Sequence, residues 1–534
     1  MKIRFVHIGF GLLLLSLLNP AAVAGQVLDD SLTENEKIKR ERIGPQAPPT
    51  KDESAYPFPM RGVSGIPGFS CYPTVEETFT TFQTLASNNP GIAQWIDIGD
   101  SWLKTQASGG YDLNVLKLTN TSVAGTKPVL FLMSSLHARE YSPVGLTTQF
   151  ALYLITEYGT DADVTWLLDY HEIHILFYAN PDGRKHAEAG LLWRKNVNNN
   201  YCAGTDSRGV DLNRNFPFQW NCCGGSSGSE CSNTYHGPSA NSEPETMAVT
   251  SYLQTIFPDQ RGPGINDAAP TDSTGVFIDI HAYGNLVLWP YGFDTTLAPN
   301  NTALQTLGRK FAWYSNYSPE KASQSFNTDG ASDDFAYGDL GVAAFTFELG
   351  TGFFENCSYF TLKILPDMLP ALLEAAKVAR APYMQPAGPT SSSLTLPSSF
   401  NPGFQKLTAS ADDTQYSNVN GTEPTQNVAA AEFYIDIPPW EGGAIPNAMT
   451  ATDGGFDATT EGLTGFIDLS ALTPGQQYTI FVRAQDSNGN WGSVSAIFFT
   501  RGSTPLRLSP LWSLTILTLL LLLLGRNAFN KSTS

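Results

Sequence analysis

His137 and Glu140 stand three residues apart, near enough for both side chains to face one ion, and they follow an apolar run from Pro128 to Met133. A second histidine, His281, ends another such run that starts at Gly275, and Glu348 ends a third, Val342 to Phe347. Two imidazoles, one carboxylate and a water make a four-coordinate zinc site with one position open for catalysis. A lone His-x-x-Glu is common by chance. What gives this one weight is placement, because ligands of open α/β sheets gather beyond the carboxyl ends of the strands, where residues distant in sequence converge. A carboxylate such as Glu348 beside that point can accept a proton and return it. The remaining histidines (His7, His171, His174, His186 and His236) have no comparable placement.

Strands must hold these residues, and the chain from Cys71 to about Pro382 alternates strand-like apolar runs with helical patterns, as α/β domains do. A fourth run, Ile173 to Ala179, joins the three already named, and all four are mostly apolar, as strands covered on both faces are. Residues 383–403, rich in Pro and Ser, read as a linker. Residues 404–501 then read as an all-β module, with a strand over Tyr478 to Ala484 and a turn at Ser487-Asn488-Gly489. The approach from Leu472 to Tyr478 resembles the fibronectin type III pattern, in which a tyrosine corner closes the entry to a strand. Such modules space, bind or adhere.

At the amino end, Lys2 and Arg4, the apolar Ile8 to Leu18 and then Ala22-Val23-Ala24 follow the order of a secretory signal, so residues 1–24 are expected to direct export. Residues 25–68 are polar, mixed in charge and broken by prolines, the pattern of a tether or short pro-segment. At the other end, residues 505–534 carry an apolar run followed by Arg526 and Lys531. It reads as a short membrane anchor, a sorting tail that is cut, or a buried helix. Export makes the six cysteines candidates for disulfides, with 15 pairings open, although the adjacent Cys222 and Cys223 are not expected to pair with each other. A chain of 534 residues exceeds one core and predicts two or three domains. Hydrophobic content of 42% against 15% charged residues excludes a largely disordered chain, and a net charge of −19 argues against a nucleic-acid partner.

Seven segments, in order and similarly spaced, make the chain from residue 69 to 380 resemble the zinc carboxypeptidase A and B family. They are His137-Ala138-Arg139-Glu140, Asn180-Pro181-Asp182-Gly183, Trp193-Arg194-Lys195, Asp211-Leu212-Asn213-Arg214-Asn215, Thr234-Tyr235-His236-Gly237, Asp279-Ile280-His281-Ala282-Tyr283 and Phe345-Thr346-Phe347-Glu348-Leu349. The resemblance implies a catalytic domain over residues 69–382 with a mixed, mostly parallel sheet and helices on both faces. It implies one Zn2+ bound by His137, Glu140 and His281, with Glu348 as general base and acid. Arg194 matches the arginine that stabilises the oxyanion, a fixed positive charge where negative charge develops. Asn213 and Arg214 match the pair that grips the substrate's terminal carboxylate, which confines action to the C-termini of peptides and proteins.

By the same resemblance Arg139 and Tyr283 contact substrate, Asp211 orients the first histidine, and Cys202 pairs with Cys231. Phe326 falls where most relatives carry a mobile tyrosine over the substrate, which keeps an aromatic lid without its hydroxyl. Asp333 falls at the base of the specificity pocket, where an acidic group favours substrates ending in Lys or Arg; the other reading makes it a solvated loop residue beside Asp334. A folded pro-segment like that of the digestive members does not fit before residue 69. A monomer is expected. Two rivals remain: a peptidase of this fold acting on bacterial wall peptides, and a surface-binding protein whose catalytic domain is inactive.

Overall fold

The computed structural model describes residues 63–397 and 403–502; the expected signal, most of the tether and the apolar C-terminal segment lie outside the described residues. Eight strands form one sheet: β1 Ala93–Asp100, β2 Asp112–Leu118, β3 Val129–Ser134, β4 Glu172–Leu176, β5 Val276–His281, β6 Leu286–Trp289, β7 Ser318–Lys321 and β8 Ala343–Glu348. Their order across the sheet is β1-β2-β4-β3-β5-β8-β6-β7. The central four are mutually parallel, while β2 runs antiparallel to both β4 and β1, and β6 runs antiparallel to β8. The sheet is thus mixed and mostly parallel at its centre. β3 and β5 are buried at every residue, which is why their sequences show no alternation of apolar and polar residues.

Helices Ser142–Glu157, Ala162–Tyr170, Pro244–Ile256, Asn301–Ser315 and Leu365–Val378 surround this sheet. The domain opens with helix Val75–Asn88, where Thr74 and Glu77 form a capping box that satisfies backbone N–H groups in both directions. The Glu77 carboxylate also accepts from the N–H groups of Ser64 and Gly65, and Ile66 is buried. The last residues of the expected tether therefore belong to the domain.

The second part is two four-stranded antiparallel sheets built from β9 Thr390–Thr395, β10 Phe404–Asp412, β11 Val428–Ile435, β12 Asn447–Ala448, β13 Thr450–Ala451, β14 Thr460–Asp468, β15 Gln477–Asp486 and β16 Ser495–Thr500. Their orders are β13-β14-β10-β9 and β12-β11-β15-β16, with a shared core of residues such as Leu407, Phe433, Leu463, Ile480 and Val482. The expected linker 383–403 needs correcting, because β9 lies within it and pairs with β10. Its Ser- and Thr-rich composition reads as linker, but one edge of a sheet accepts short polar residues on its solvent face. The Tyr478 hydroxyl accepts the Thr473 N–H at 2.7 Å, a contact that ties the strand entry back on itself.

Three disulfides are formed: Cys71–Cys357, Cys202–Cys231 and Cys222–Cys223. The second is the pair implied by the resemblance. The third overturns the expectation that neighbouring cysteines do not pair. Their Cα atoms are 3.7 Å apart, so the bond closes a ring within a single turn rather than joining two segments.

Candidate active site

Two strand ends deliver the metal-binding set. His137 and Glu140 follow β3, in the loop before helix Ser142–Glu157, and His281 is the last residue of β5. The His137 Nδ1 lies 2.8 Å from Glu140 Oε1, His281 Nδ1 lies 3.0 Å from Glu140 Oε2, and the two Nδ1 atoms are 3.1 Å apart. Ligand atoms of all three residues fall within 4.8 Å of one another, and all three side chains are buried. Two imidazole nitrogens aimed at each other and at a carboxylate form a donor set that a bound cation satisfies, and two histidines with one glutamate suit zinc. The outward nitrogens are held as well: His137 Nε2 is 3.1 Å from Asp211 Oδ1 and His281 Nε2 is 2.9 Å from Asp279 Oδ2. Each ring is therefore oriented with Nδ1 facing inward.

The electrostatics follow from that packing. Burial alone would raise the Glu140 carboxyl, but His137 and His281 outweigh it and hold it well below the usual range. Burial would lower His281, yet Asp279 and Glu140 lift it well above an ordinary histidine. Burial works against ionised Asp211 too, and there Arg194, His137 and Arg214 prevail, so that carboxyl stays low.

Glu348 ends β8, where it is the direct register partner of His281 on the parallel neighbour. One step down the same two strands, Asp279 partners Thr346. Side chains two residues apart share a face, so the site has two layers: His281 with Glu348 above, Asp279 with Thr346 below.

Asp211 ties the positive groups to this site. Its Oδ2 accepts Arg194 Nε at 3.2 Å and Nη2 at 3.0 Å, and Arg214 Nη1 lies 3.9 Å away. The Arg214 guanidinium is fixed by two carbonyls: Nε donates to Gly225 O and Nη1 to Asn213 O, each at 2.8 Å. Asn213 Oδ1 accepts the Ser332 N–H at 3.0 Å. A short turn, Leu212–Arg214, thus presents an amide and a guanidinium beside the metal-binding set. Arg139 lies 3.8 Å over the ring of Phe353, and Tyr283 meets the same ring edge-on at 4.8 Å. Phe326 packs on Leu286, Leu288 and Ala322.

Asp333 and Asp334 open helix Ser332–Gly338 and are both buried, so Asp333 is not a solvated loop residue. Asp333 accepts a hydrogen bond from Thr346, which places it in the lower layer, and burial together with Asp279 pushes its carboxyl up to about 6. Asp334 accepts the N–H groups of Gly292 and Phe293 at 2.9 and 3.1 Å, and burial beside Asp333 holds it well above the usual range. Sequence reasoning missed Lys321, a buried cation at the end of β7 whose charge acts on Asp334 and whose Nζ donates to Asp294 O at 2.8 Å. It also gave no role to Asp279, Phe353 or Ser332. Asp279 was visible as the acid two residues before His281; nothing local marked the others.

A metal-binding triad at the carboxyl edge of a mixed sheet, with a carboxylate on the adjoining strand and arginines fixed nearby, defines a metallohydrolase. The family profile described as zinc carboxypeptidase matches residues 79–363, more than half of the chain. The chain belongs to the zinc carboxypeptidase family, and with it to the metallocarboxypeptidase hydrolases. It is 30% identical over 307 residues to carboxypeptidase A2 of Rattus norvegicus, covering 56% of this chain and 67% of that one. It is 31% identical over 277 residues to carboxypeptidase B of Bos taurus, covering 50% of this chain and 60% of that one. The chain thus spans about two thirds or less of the length of these relatives. Among solved structures, carboxypeptidase A from Helicoverpa armigera aligns with a TM-score of 0.49 at 26% identity, over 58% of this chain and 74% of that one.

Proposed function

We propose that this protein removes residues from the C-termini of peptides and proteins, with a preference for C-terminal Lys or Arg. His137, Glu140 and His281 would hold one zinc ion, which when bound polarises the scissile carbonyl and makes water a better nucleophile near neutral pH. Glu348 takes the proton from the attacking water and delivers it to the departing amine nitrogen. Arg194, held by Asp211, offers its N–H groups to the carbonyl oxygen as negative charge develops there. Asn213 and Arg214 bind the terminal carboxylate, so a substrate lacking that charge loses its anchor. Arg139 and Tyr283 contact the peptide upstream, and Phe326 forms an apolar wall.

Buried Asp333, one layer beneath Glu348 and His281, carries the preference: an arriving guanidinium or ammonium would displace its proton and meet a desolvated carboxylate. Export through residues 1–24, surface attachment through residues 505–534 and a monomeric state complete the reading. Three disulfides are in keeping with an oxidising compartment.

The test compares turnover of otherwise identical peptides ending in Arg and in Phe, with and without a chelator, for the natural sequence and Asp333→Ala. Chelation should abolish release from both, Arg should be released faster, and the variant should lose that advantage by tenfold or more, on the order of 1–3 kcal/mol in the transition state. Faster release of Phe would sink the preference; release insensitive to chelation would sink the zinc chemistry.

A further inference from the structure

The Cys222–Cys223 ring has no part in the chemistry above, yet its surroundings connect it to the substrate site. Both cysteines are exposed. Just beyond them, Gly225 O is the acceptor that fixes Arg214 Nε at 2.8 Å. From the opposite side, buried Asp329 accepts the N–H groups of Cys223 and Gly225 through one oxygen, at 3.0 and 3.1 Å, and Asn327 Nδ2 donates to Cys223 O at 3.3 Å. The two backbones touch: a Cβ on Gly225 would stand 2.6 Å from Asp329 N, and one on Gly330 would stand 2.6 Å from Arg214 O. Phe216 N–H donates to Gly330 O at 3.0 Å and closes the bracket. The segment that begins at Phe326 and the turn that carries Arg214 are therefore joined through the loop that the disulfide closes.

An exposed loop with glycines on its far side would otherwise have many backbone states, and each would move the Gly225 carbonyl. A bond between adjacent residues removes that freedom at the two positions preceding the glycines. We infer that the Cys222–Cys223 ring is a positioning element for Arg214 and thereby sets the affinity for substrate C-termini. The inference rests on the reading of Arg214 as the carboxylate clamp.

The experiment uses the full chain and peptides ending in Arg, and compares the natural sequence with Cys222→Ser/Cys223→Ser, Asp329→Ala and Arg214→Ala. The double serine variant should raise KM by about tenfold to a hundredfold, as for a misplaced binding group, and leave kcat within about twofold. Bound zinc and the melting temperature should match the natural sequence. Asp329→Ala, which cuts the same bracket while the ring stays closed, should raise KM in the same direction, and Cys222→Ala/Cys223→Ala, which also opens the ring, decides the matter if the serine variant does not fold. An unchanged KM in the folded variant, or a fall in kcat together with bound zinc, would overturn the inference. An unchanged KM for Arg214→Ala would instead overturn the reading of the clamp.

Discussion

One oxygen of Asp211 faces His137 and the other accepts two N–H groups of Arg194, with Arg214 close by. A single buried carboxylate therefore orients a metal-binding ring and balances two guanidinium groups. Asparagine in its place keeps the shape but removes the charge, leaving both arginines without their shared counter-ion in a desolvated setting. Asp211→Asn is expected to weaken zinc binding by about tenfold to a hundredfold, read by chelator competition, and to lower kcat/KM further through Arg194. Zinc affinity equal to that of the natural sequence would refute this. The chemistry-bearing residues were legible in the sequence because each sits at a strand end or in a dense motif. Lys321 was not, because lysine is usually solvated and only tertiary packing reveals the exceptions, and the sequence left Asp333 between a closed pocket and a solvated loop until packing showed it buried.

Among the elements, the four apolar runs of the sequence became β3, β4, β5 and β8, each within a few residues of its expected limits. Continuous apolarity marks strands that helices cover on both faces. The β9 strand escaped notice for the opposite reason: an edge strand of Ser and Thr carries no hydrophobic signal. How the β-module meets the catalytic domain was also unreadable, since the contact is made by isolated residues. Trp440 packs against Trp166 and Tyr170 at 5.4 and 5.8 Å, with Arg380 4.6 Å from its ring. Asp163 accepts from Lys377 and from the Ala496 N–H of β16, and Ser493 donates to Glu374. Helices Ala162–Tyr170 and Leu365–Val378 thus each make part of their contacts with the module. Trp440→Ala should lower stability by about 2–4 kcal/mol and shift a single unfolding transition downwards. Two transitions in the natural sequence, with only one of them shifted by the variant, would mean that the two parts unfold independently.

At the scale of the whole molecule, a net charge of −19 makes rising pH unfavourable through self-repulsion, and one buried group adds to the trend. Glu245 shares the Asn196 amide with Glu243, and burial, then the charge of Glu243, pushes its carboxyl up to about 8. The folded chain keeps a proton there that the unfolded chain has already released above the usual value of 4.5. Stability from this group is accordingly intact below that value and falls as pH rises towards 8. Glu245→Gln should flatten the decline of melting temperature between pH 5 and pH 8 as compared with the natural sequence; an identical slope would show that the group does not hold its proton. The Cys71–Cys357 bond has a different reach. It joins the loop before helix Val75–Asn88 to a residue beyond β8 across 286 positions, so almost the entire catalytic domain lies inside one covalent circle. In a chain-entropy view such a circle is worth about 5–6 kcal/mol. It also means that a neighbouring protease cutting any surface loop within it leaves the two pieces chained together, so a nicked domain keeps its partner halves at hand until a reductant arrives.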